Sequence, residues 1–371
     1  MTSNHATREI ARIGLSAFLD EYHIKAVRSG GLISLKYDQI ESPMHEQCVA
    51  DCRGLVVRED DPTRIVAMAY RKFWNLGEKY ADPIDWSTAQ VMEKLDGSII
   101  TLYWHDGRWC VASSGHPTAG GNYNGDSGET FAGAFWRVWN TLGYRLPDVD
   151  GQHANHRDCY YAFEFCAPDN RIVVKYDRPR IVLHGMRDAE TLQEYRHAAI
   201  VSRAAFYGWE AVKAWPAASA SQAVADAAQT DPLALEGFVV VDDQFRRVKV
   251  KNPRYVEIHH LRGNRSPRAV VDLWKLGEVD EVLAHFPEMS ADFDAVLGAL
   301  RAEMVKAGQA WRKHAGIDDR KAFAGEVKAL RLSSVLFRMY TDRPTGDVDH
   351  EVERHVRSMN TAALLRVIGE G

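Results

Sequence analysis

The sequence predicts an α+β protein in which a strand-rich region up to about residue 260 precedes a small all-helical region. In the first region, short apolar runs recur in pairs around turn-forming residues. From about residue 262 onward, apolar residues recur three or four positions apart, as on one face of a helix. With 371 residues, 46% hydrophobic and 26% charged, the chain has the composition of a folded globular protein. We therefore expect two domains, 1–260 and 261–371.

The strands of the first region are predicted from three hairpin patterns. Asp106-Gly107 separates the middle pair, and this dipeptide is typical of a tight hairpin turn. The paired segments are 54–57 with 65–69, 99–104 with 109–113, and 238–241 with 248–250.

Helical spacing interrupts these strands and then dominates the end of the chain. Within the first region, segment 214–231 is compatible with either a helix or a surface excursion. The glycine-rich stretch 115–128 is predicted to be a mobile loop, and it lacks the Gly-Lys-Ser/Thr ending of a P-loop. The predicted helices are 8–22, 130–142, 194–206, 293–305, 323–339, 352–359 and 362–368.

Charge and cysteine content restrict the class of protein. The net charge of −5 does not indicate a nucleic-acid partner, but residues 244–268 hold eight cations and one acid. Such a patch suits a phosphate-rich ligand, the alternative being a solvated basic face. The five scattered cysteines favour reduced thiols in a cytoplasm. We expect no signal peptide in residues 1–10 and no membrane span, because no apolar run approaches about 18 residues.

A candidate nucleophile lies in Lys94-Leu95-Asp96-Gly97-Ser98, directly after an apolar strand. A desolvated lysine held near other cations loses its proton more easily, and its neutral amine attacks phosphoryl groups. Asp96 places charge near that amine, and Gly97 permits a tight turn and close approach of a ligand. A plain strand followed by a turn would also explain these five residues.

Further segments make the pattern more specific. Glu164 lies in an aromatic strand, and Glu236 opens an apolar one. Alternation puts Lys249 and Lys251 on one strand face, where they repel unless an anion such as a phosphate chain lies between them. In chain order the segments are Arg53-Gly54-Leu55-Val56-Val57, Arg71-Lys72-Phe73-Trp74-Asn75-Leu76, the Lys94 segment, Tyr160-Tyr161-Ala162-Phe163-Glu164-Phe165, Leu235-Glu236-Gly237-Phe238-Val239-Val240 and Val248-Lys249-Val250-Lys251.

These segments resemble those of the covalent nucleotidyltransferases, and most of all the phage T4 RNA ligase 1 family. The most specific likeness is the run Phe163-Glu164-Phe165-Cys166-Ala167-Pro168-Asp169-Asn170-Arg171-Ile172-Val173, which separates this family from DNA ligases and capping enzymes. The resemblance covers about residues 40–260. It implies a nucleotidyltransferase domain of ATP-grasp-like antiparallel sheets with flanking helices, followed by a helical domain that recognises RNA or tRNA.

The resemblance also implies a reaction and a set of residues. Lys94 would accept AMP from ATP, the AMP would pass to an RNA 5′-phosphate, and the RNA 3′-OH would displace it. Mg²⁺, or alternatively Mn²⁺, would be held mainly through its water shell. The implied nucleotide contacts are Arg53, Lys72, Phe73, Glu93, Asp96, Gly97, Glu164, Glu236, Lys249 and Lys251; Lys249 and Lys251 would also be catalytic, and Asp96, Glu164 and Glu236 would hold the metal.

The implied substrate is RNA with 3′-OH and 5′-phosphate ends, such as a nicked tRNA anticodon loop, with a separate kinase or phosphatase healing the ends of the RNA. We expect a monomer. One departure from the family is the absence of a basic residue near Ser113-Ser114-Gly115, for which Arg171, Lys175 or Arg178 would compensate.

Two other functions remain open at this stage. One is a catalytically silent protein that binds RNA ends, and the other is a DNA ligase or capping guanylyltransferase, against which the lack of a recognisable OB-fold after Lys251 argues. A zinc site at His153, His156 and Cys159 is disfavoured because a fourth ligand at ordinary spacing is missing.

Overall fold

The chain divides into two compact units, Met1–His259 and His260–Gly371. The computed structural model describes residues 3–123, 128–170, 172–174, 176–232, 234–256, 266–277, 279–280, 283 and 290–369. In these ranges, no helix combines the length and the apolar character that a membrane span requires.

The first sheet of the N-terminal unit has four strands in the order β1-β2-β3-β4. The predicted hairpin 54–57/65–69 is confirmed as the antiparallel pair β3 and β4. The helix predicted at 8–22 is two helices, because Gly14 takes a φ of +84° and ends the first. The elements are α1 (His5–Ile13), α2 (Leu15–Glu21), β1 (Ile24–Ser29), β2 (Leu32–Tyr37), α3 (Gln47–Asp51), β3 (Arg53–Arg58) and β4 (Ile65–Ala67).

The second sheet has the strand order β11-β10-β9-β7-β8, and the third has the order β12-β6-β13-β14-β5. Both remaining predicted hairpins are confirmed, as β7 with β8 and β13 with β14. The strands are β5 (Trp74–Asn75), β6 (Gln90–Lys94), β7 (Ser98–His105), β8 (Arg108–Ser113), β9 (Cys159–Cys166), β10 (Arg180–Asp188), β11 (Glu210–Ala211), β12 (Ala214–Pro216), β13 (Gly237–Val241) and β14 (Arg247–Lys251).

Among the described residues, three α-helices and two short 3-10 helices, Gly151–Asp158 and Pro168–Asn170, accompany these two sheets. Segment 214–231, left open by the sequence, contains both a strand, β12, and a helix, α6. Residues 124–127 of the glycine-rich stretch lie outside the described residues. The helices are α4 (Phe131–Thr141), α5 (His197–Tyr207) and α6 (Ala220–Gln229).

In the C-terminal unit, every described element is a helix, so the predicted α+β class with a helical C-terminal region is confirmed. Phe323, Leu336 and Met339 are fully buried in its core. Its helices are α7 (Pro267–Leu276), α8 (Ser290–His314), α9 (Arg320–Val327), α10 (Ser333–Asp342), α11 (Val348–Arg357) and α12 (Thr361–Ile368).

Candidate active site

A cleft of about 410 Å³ in the N-terminal unit is lined by residues from all three sheets. Most residues predicted from the sequence to form the site lie on its wall. They are Arg53, Phe73, Glu93, Lys94, Gly97, Glu164, Lys249 and Lys251. Three others, Lys72, Asp96 and Glu236, are described but are not part of this lining.

Lys94 is the last residue of β6, and the register of the third sheet aligns it with a second lysine. It lies opposite Gly237 of β13, and Gly237 in turn lies opposite Lys251 of β14. Gly237 has a φ of +143°, and a Cβ at this position would lie 2.3 Å from the carbonyl oxygen of Val250. Only glycine therefore lets the strands meet closely enough to bring Lys94 and Lys251 to the same carboxylate.

That carboxylate belongs to Glu236, whose residue surface is only 6% exposed. One of its oxygens contacts Lys94 Nζ, and the other lies 3.4 Å from Lys251 Nζ. Burial alone would raise the pKa of Glu236, but the ammonium groups of Lys94 and Lys251 hold it below its ordinary value. Glu236 is therefore ionised at neutral pH and orients both lysines.

The lowered pKa of Glu236 gives a prediction for acid stability. Its ionised form stabilises the fold above the ordinary carboxyl pKa of 4.5, and this contribution is lost as the pH falls through the lower folded value. Urea unfolding should show Glu236→Gln destabilised by a constant amount between about pH 6 and 8. The difference from wild type should shrink below pH 4.5. A difference that grew in acid would contradict this assignment.

Glu164 lies on the opposite side of the cleft, in the second sheet. It is held centrally in β9, opposite Ile99 of β7 and Val182 of β10. Its carboxylate lies 3.4 Å from His184 Nε2, and the His184 ring stacks on Tyr70 with centroids 5.5 Å apart. His184 and Tyr70 both line the cleft, although neither was predicted from the sequence, because no spacing connects them to the motifs.

Three cationic side chains lie near the ring of Phe73. The side chains of Arg53, Arg247 and Lys249 lie 5.2, 5.7 and 5.9 Å from the centre of its ring. Arg247 is buried and pairs with Glu194 at 2.7 Å. The sequence placed Arg247 in a basic stretch but gave no sign that it is a cleft residue.

Asp96 is buried beside the cleft and is not part of its lining. It is 2% exposed, and one carboxylate oxygen accepts hydrogen bonds from the backbone N–H groups of Val173 and Val174, both at 2.7 Å. The other oxygen accepts a hydrogen bond from the Tyr255 hydroxyl at 2.8 Å. With these three bonds Asp96 joins distant parts of the chain next to Lys94, and its role as a nucleotide and metal contact stays a prediction.

Gly97 lines the cleft, whereas Lys72 does not. Gly97 is required by packing and not by a left-handed turn, since a Cβ there would lie 2.6 Å from the carbonyl oxygen of Phe165. The Lys72 ammonium lies over Tyr37 and Trp74, 4.6 and 5.7 Å from the ring centres, and not on the cleft wall.

The remaining candidates for phosphate or metal binding are Arg171, Lys175, Arg178 and the segment from His153 to Cys159. Arg171 and Lys175 lie outside the described residues, and Arg178 is exposed and not part of the cleft lining. The described residues contain no cluster of three or more His, Cys, Asp or Glu side chains suited to a metal. His153 and His156 instead stack on each other, with ring centroids 4.9 Å apart.

The cleft as a whole is suited to a polyphosphate ligand next to an amine. Its lining carries five cationic side chains against the two carboxylates of Glu93 and Glu164. Oriented cations in such a cleft stabilise charge that develops on phosphoryl oxygens. The cationic side chains are those of Arg53, Lys94, Arg247, Lys249 and Lys251.

Comparison with known proteins gives consistent matches. The profile of a T4-type family described as RNA ligase matches residues 51–255. An RNA ligase of Rhodothermus phage RM378 is 26% identical over 289 residues, covering 62% of this chain and 64% of that protein. A putative bifunctional polynucleotide kinase/RNA ligase of Autographa californica nuclear polyhedrosis virus is 25% identical over 311 residues, covering 77% of this chain and 42% of that protein. The chain thus matches less than two thirds of the length of either curated relative.

Among solved structures, an archaeal ATP-dependent RNA ligase aligns with 88% of this chain and 89% of its own, at 14% identity and a TM-score of 0.46. A Naegleria gruberi RNA ligase variant with ATP and Mn aligns with 46% of this chain and 51% of its own, at 18% identity and a TM-score of 0.36.

Proposed function

Because the chain belongs to the T4 RNA ligase 1-like family of RNA ligases, we propose that it is an ATP-dependent RNA ligase with Lys94 as the AMP-accepting nucleophile. The observation that carries this proposal is the position of Lys94. Its amine lies on the wall of a cationic cleft and is oriented by a buried carboxylate, Glu236, that also contacts Lys251.

The reaction has three displacements at phosphorus. Lys94 Nζ, after losing a proton, attacks the α-phosphorus of ATP, and the bond to pyrophosphate breaks. An oxygen of the RNA 5′-phosphate then attacks the lysyl-AMP phosphorus, and Lys94 leaves as its amine. Finally the RNA 3′-OH loses its proton and attacks the 5′-phosphate, so that AMP leaves and a phosphodiester forms.

Different cleft residues serve in binding the nucleotide and in neutralising the charge of its phosphates. Lys249 and Lys251 neutralise charge on the phosphoryl oxygens during transfer. Phe73 and Glu93 contact the nucleotide, and Arg53 binds its ribose or phosphates. Glu164 borders the ribose. The family resemblance implies these roles, and the position of each residue on the cleft wall supports them.

A divalent cation fits this site through water. Mg²⁺ or Mn²⁺ prefers oxygen ligands and Mg²⁺ keeps most of its waters, so carboxylates can hold it through those waters. Glu164 and Glu236 are the residues that would hold the hydrated ion, whose charge would help neutralise the phosphates.

For the biological role we propose repair of cleaved RNA, with nicked tRNA anticodon loops as the substrate class and the helical C-terminal unit as the part that recognises it. A separate kinase or phosphatase would supply the required ends. One viral relative is named a putative polynucleotide kinase/RNA ligase.

The proposed chemistry is tested by incubating the protein with Mg²⁺ and either α-labelled ATP or α-labelled GTP. We expect an acid-labile adduct with ATP only, located on Lys94 by peptide mass spectrometry. An adduct with GTP would favour a capping enzyme, and no adduct with either nucleotide would favour a silent RNA-binding protein. Sealing should then be faster on a nicked anticodon stem-loop than on linear RNA, and equal rates would contradict the tRNA role.

A further inference from the structure

A row of three cations crosses the first sheet and ends at the cleft. Lys25 of β1 lies opposite Lys36 of β2, and Lys36 lies opposite Arg53 of β3. Like charges placed directly across neighbouring strands destabilise a sheet. Lys25 is compensated by Asp38, 2.6 Å from its ammonium group. In the part of the chain that the structure describes, Lys36 and Arg53 form no ion pair with a carboxylate.

A serine turn lies beside the two uncompensated cations. It runs from Ser113 to His116 and is closed by a hydrogen bond from the Ser113 N–H to the His116 carbonyl oxygen at 3.0 Å. A Cβ on Gly54 would lie 2.9 Å from the Ser114 Cα, so the backbone next to Arg53 packs against this turn. Lys36 Nζ lies 4.0 Å from the position that a Gly115 Cβ would take.

These contacts place complementary groups at the edge of the cleft. Ser113 and Ser114 line the cleft, as does Arg53, and their hydroxyl groups are hydrogen-bond donors. An oxyanion between Lys36 and Arg53 would relieve their repulsion and accept hydrogen bonds from the serines. Lys94, Lys249 and Lys251 belong to the third sheet, so this group is separate from them in the fold.

We propose that Lys36, Arg53 and the Ser113–Ser114 turn form a phosphate-binding site at the edge of the cleft. This inference rests on the proposed function, in which the phosphate belongs either to the terminal part of ATP or to the 5′ end of the RNA. Lys36 is the phosphate-binding residue that the sequence motifs did not identify.

The first test is binding of inorganic pyrophosphate to the unmodified protein, measured by calorimetry. Lys36→Ala and Lys36→Met should weaken binding by about tenfold, the loss expected for one charged hydrogen bond. Lys36→Met keeps most of the aliphatic stem, and Lys36→Arg should restore most of the affinity. Lys25→Ala is the matched control: it lies on the same row but its charge is compensated, so its affinity should equal that of wild type.

Two kinetic measurements then identify the source of the phosphate. If the site holds the terminal phosphates of ATP, Lys36→Ala raises the KM for ATP in formation of the lysyl adduct. If it holds the RNA end, Lys36→Ala raises the KM for 5′-phosphorylated RNA when the adenylylated protein transfers its AMP. Unchanged pyrophosphate affinity together with two unchanged KM values would overturn the proposal.

The pyrophosphate measurement also separates this inference from the proposed function. A wild-type protein that forms no AMP adduct, while its Lys36 variants lose pyrophosphate affinity, would refute the ligase function and support the site. An AMP adduct in wild type, with unchanged pyrophosphate affinity and KM values in every Lys36 variant, would support the ligase function and refute the Lys36 site.

Discussion

Lys94→Ala is expected to lower joining of 5′-phosphorylated RNA with ATP by about 10⁴-fold or more, the scale on which loss of a covalent nucleophile acts. No other amine in the described cleft is held by Glu236 at the same position, since Lys251 contacts its other oxygen at the end of a different strand. The adduct with labelled ATP should be undetectable, and the measurement is radioactivity retained on denatured protein.

Two controls make this result specific. Lys94→Arg keeps the positive charge next to Glu236, but a guanidinium is not deprotonated in proteins and cannot act as the nucleophile. It should therefore lose the adduct while keeping the fold. RNA that already carries a 5′-adenylyl group needs no lysyl adduct, so Lys94→Arg should still seal it. An adduct that persists in either variant would place the nucleophile elsewhere.

Glu194→Ala is expected to destabilise the N-terminal unit by about 3–5 kcal/mol. Glu194 pairs with both Arg187 and Arg247 at 2.7 Å, and its side chain is 12% exposed. Removing it leaves two buried guanidinium groups without their carboxylate. Because Arg247 lies 4.6 Å from the centre of the Tyr70 ring, the position of Tyr70 in the cleft lining should become less fixed as well.

The free energy of unfolding measured with urea checks this prediction. An ion pair of similar chemistry but greater exposure, Arg28 with Glu59 at 3.4 Å, supplies the control. Glu59→Ala should change stability by less than about 1 kcal/mol, because exposed pairs contribute little. Equal losses in the two variants would mean that the Glu194 network does not hold the fold.

The sequence predicted those parts of the fold that are encoded locally. Asp106-Gly107 favours a tight hairpin turn, and this dipeptide can be recognised without knowledge of distant contacts. The strand β10 (Arg180–Asp188) was not predicted, although it lies inside the second sheet between β9 and β11. The hairpin of β1 and β2, with its turn at Gly30-Gly31, was also missed, and with it Lys36.

In the candidate site, too, the locally encoded features were predicted and those that depend on distant contacts were not. Lys249 and Lys251 were predicted to share a strand face, and both line the cleft. The environment of Asp96 could not be predicted, because its partners Val173, Val174 and Tyr255 lie 77 to 159 residues away in sequence. His184 was missed for a similar reason, since its position depends on stacking with Tyr70, 114 residues earlier.

The bonds of Asp96 also have a consequence for the order in which the site assembles. The turn that follows Lys94 is secured only when Val173 and Tyr255 have joined it, and closing loops of such length costs more entropy than forming local contacts. We therefore expect a nascent chain that has not yet released residue 255 from the ribosome to leave the turn after Lys94, the proposed nucleophile, without this support. If Lys94 accepts AMP as proposed, reactivity toward ATP should appear only after these long-range hydrogen bonds of the N-terminal unit have formed.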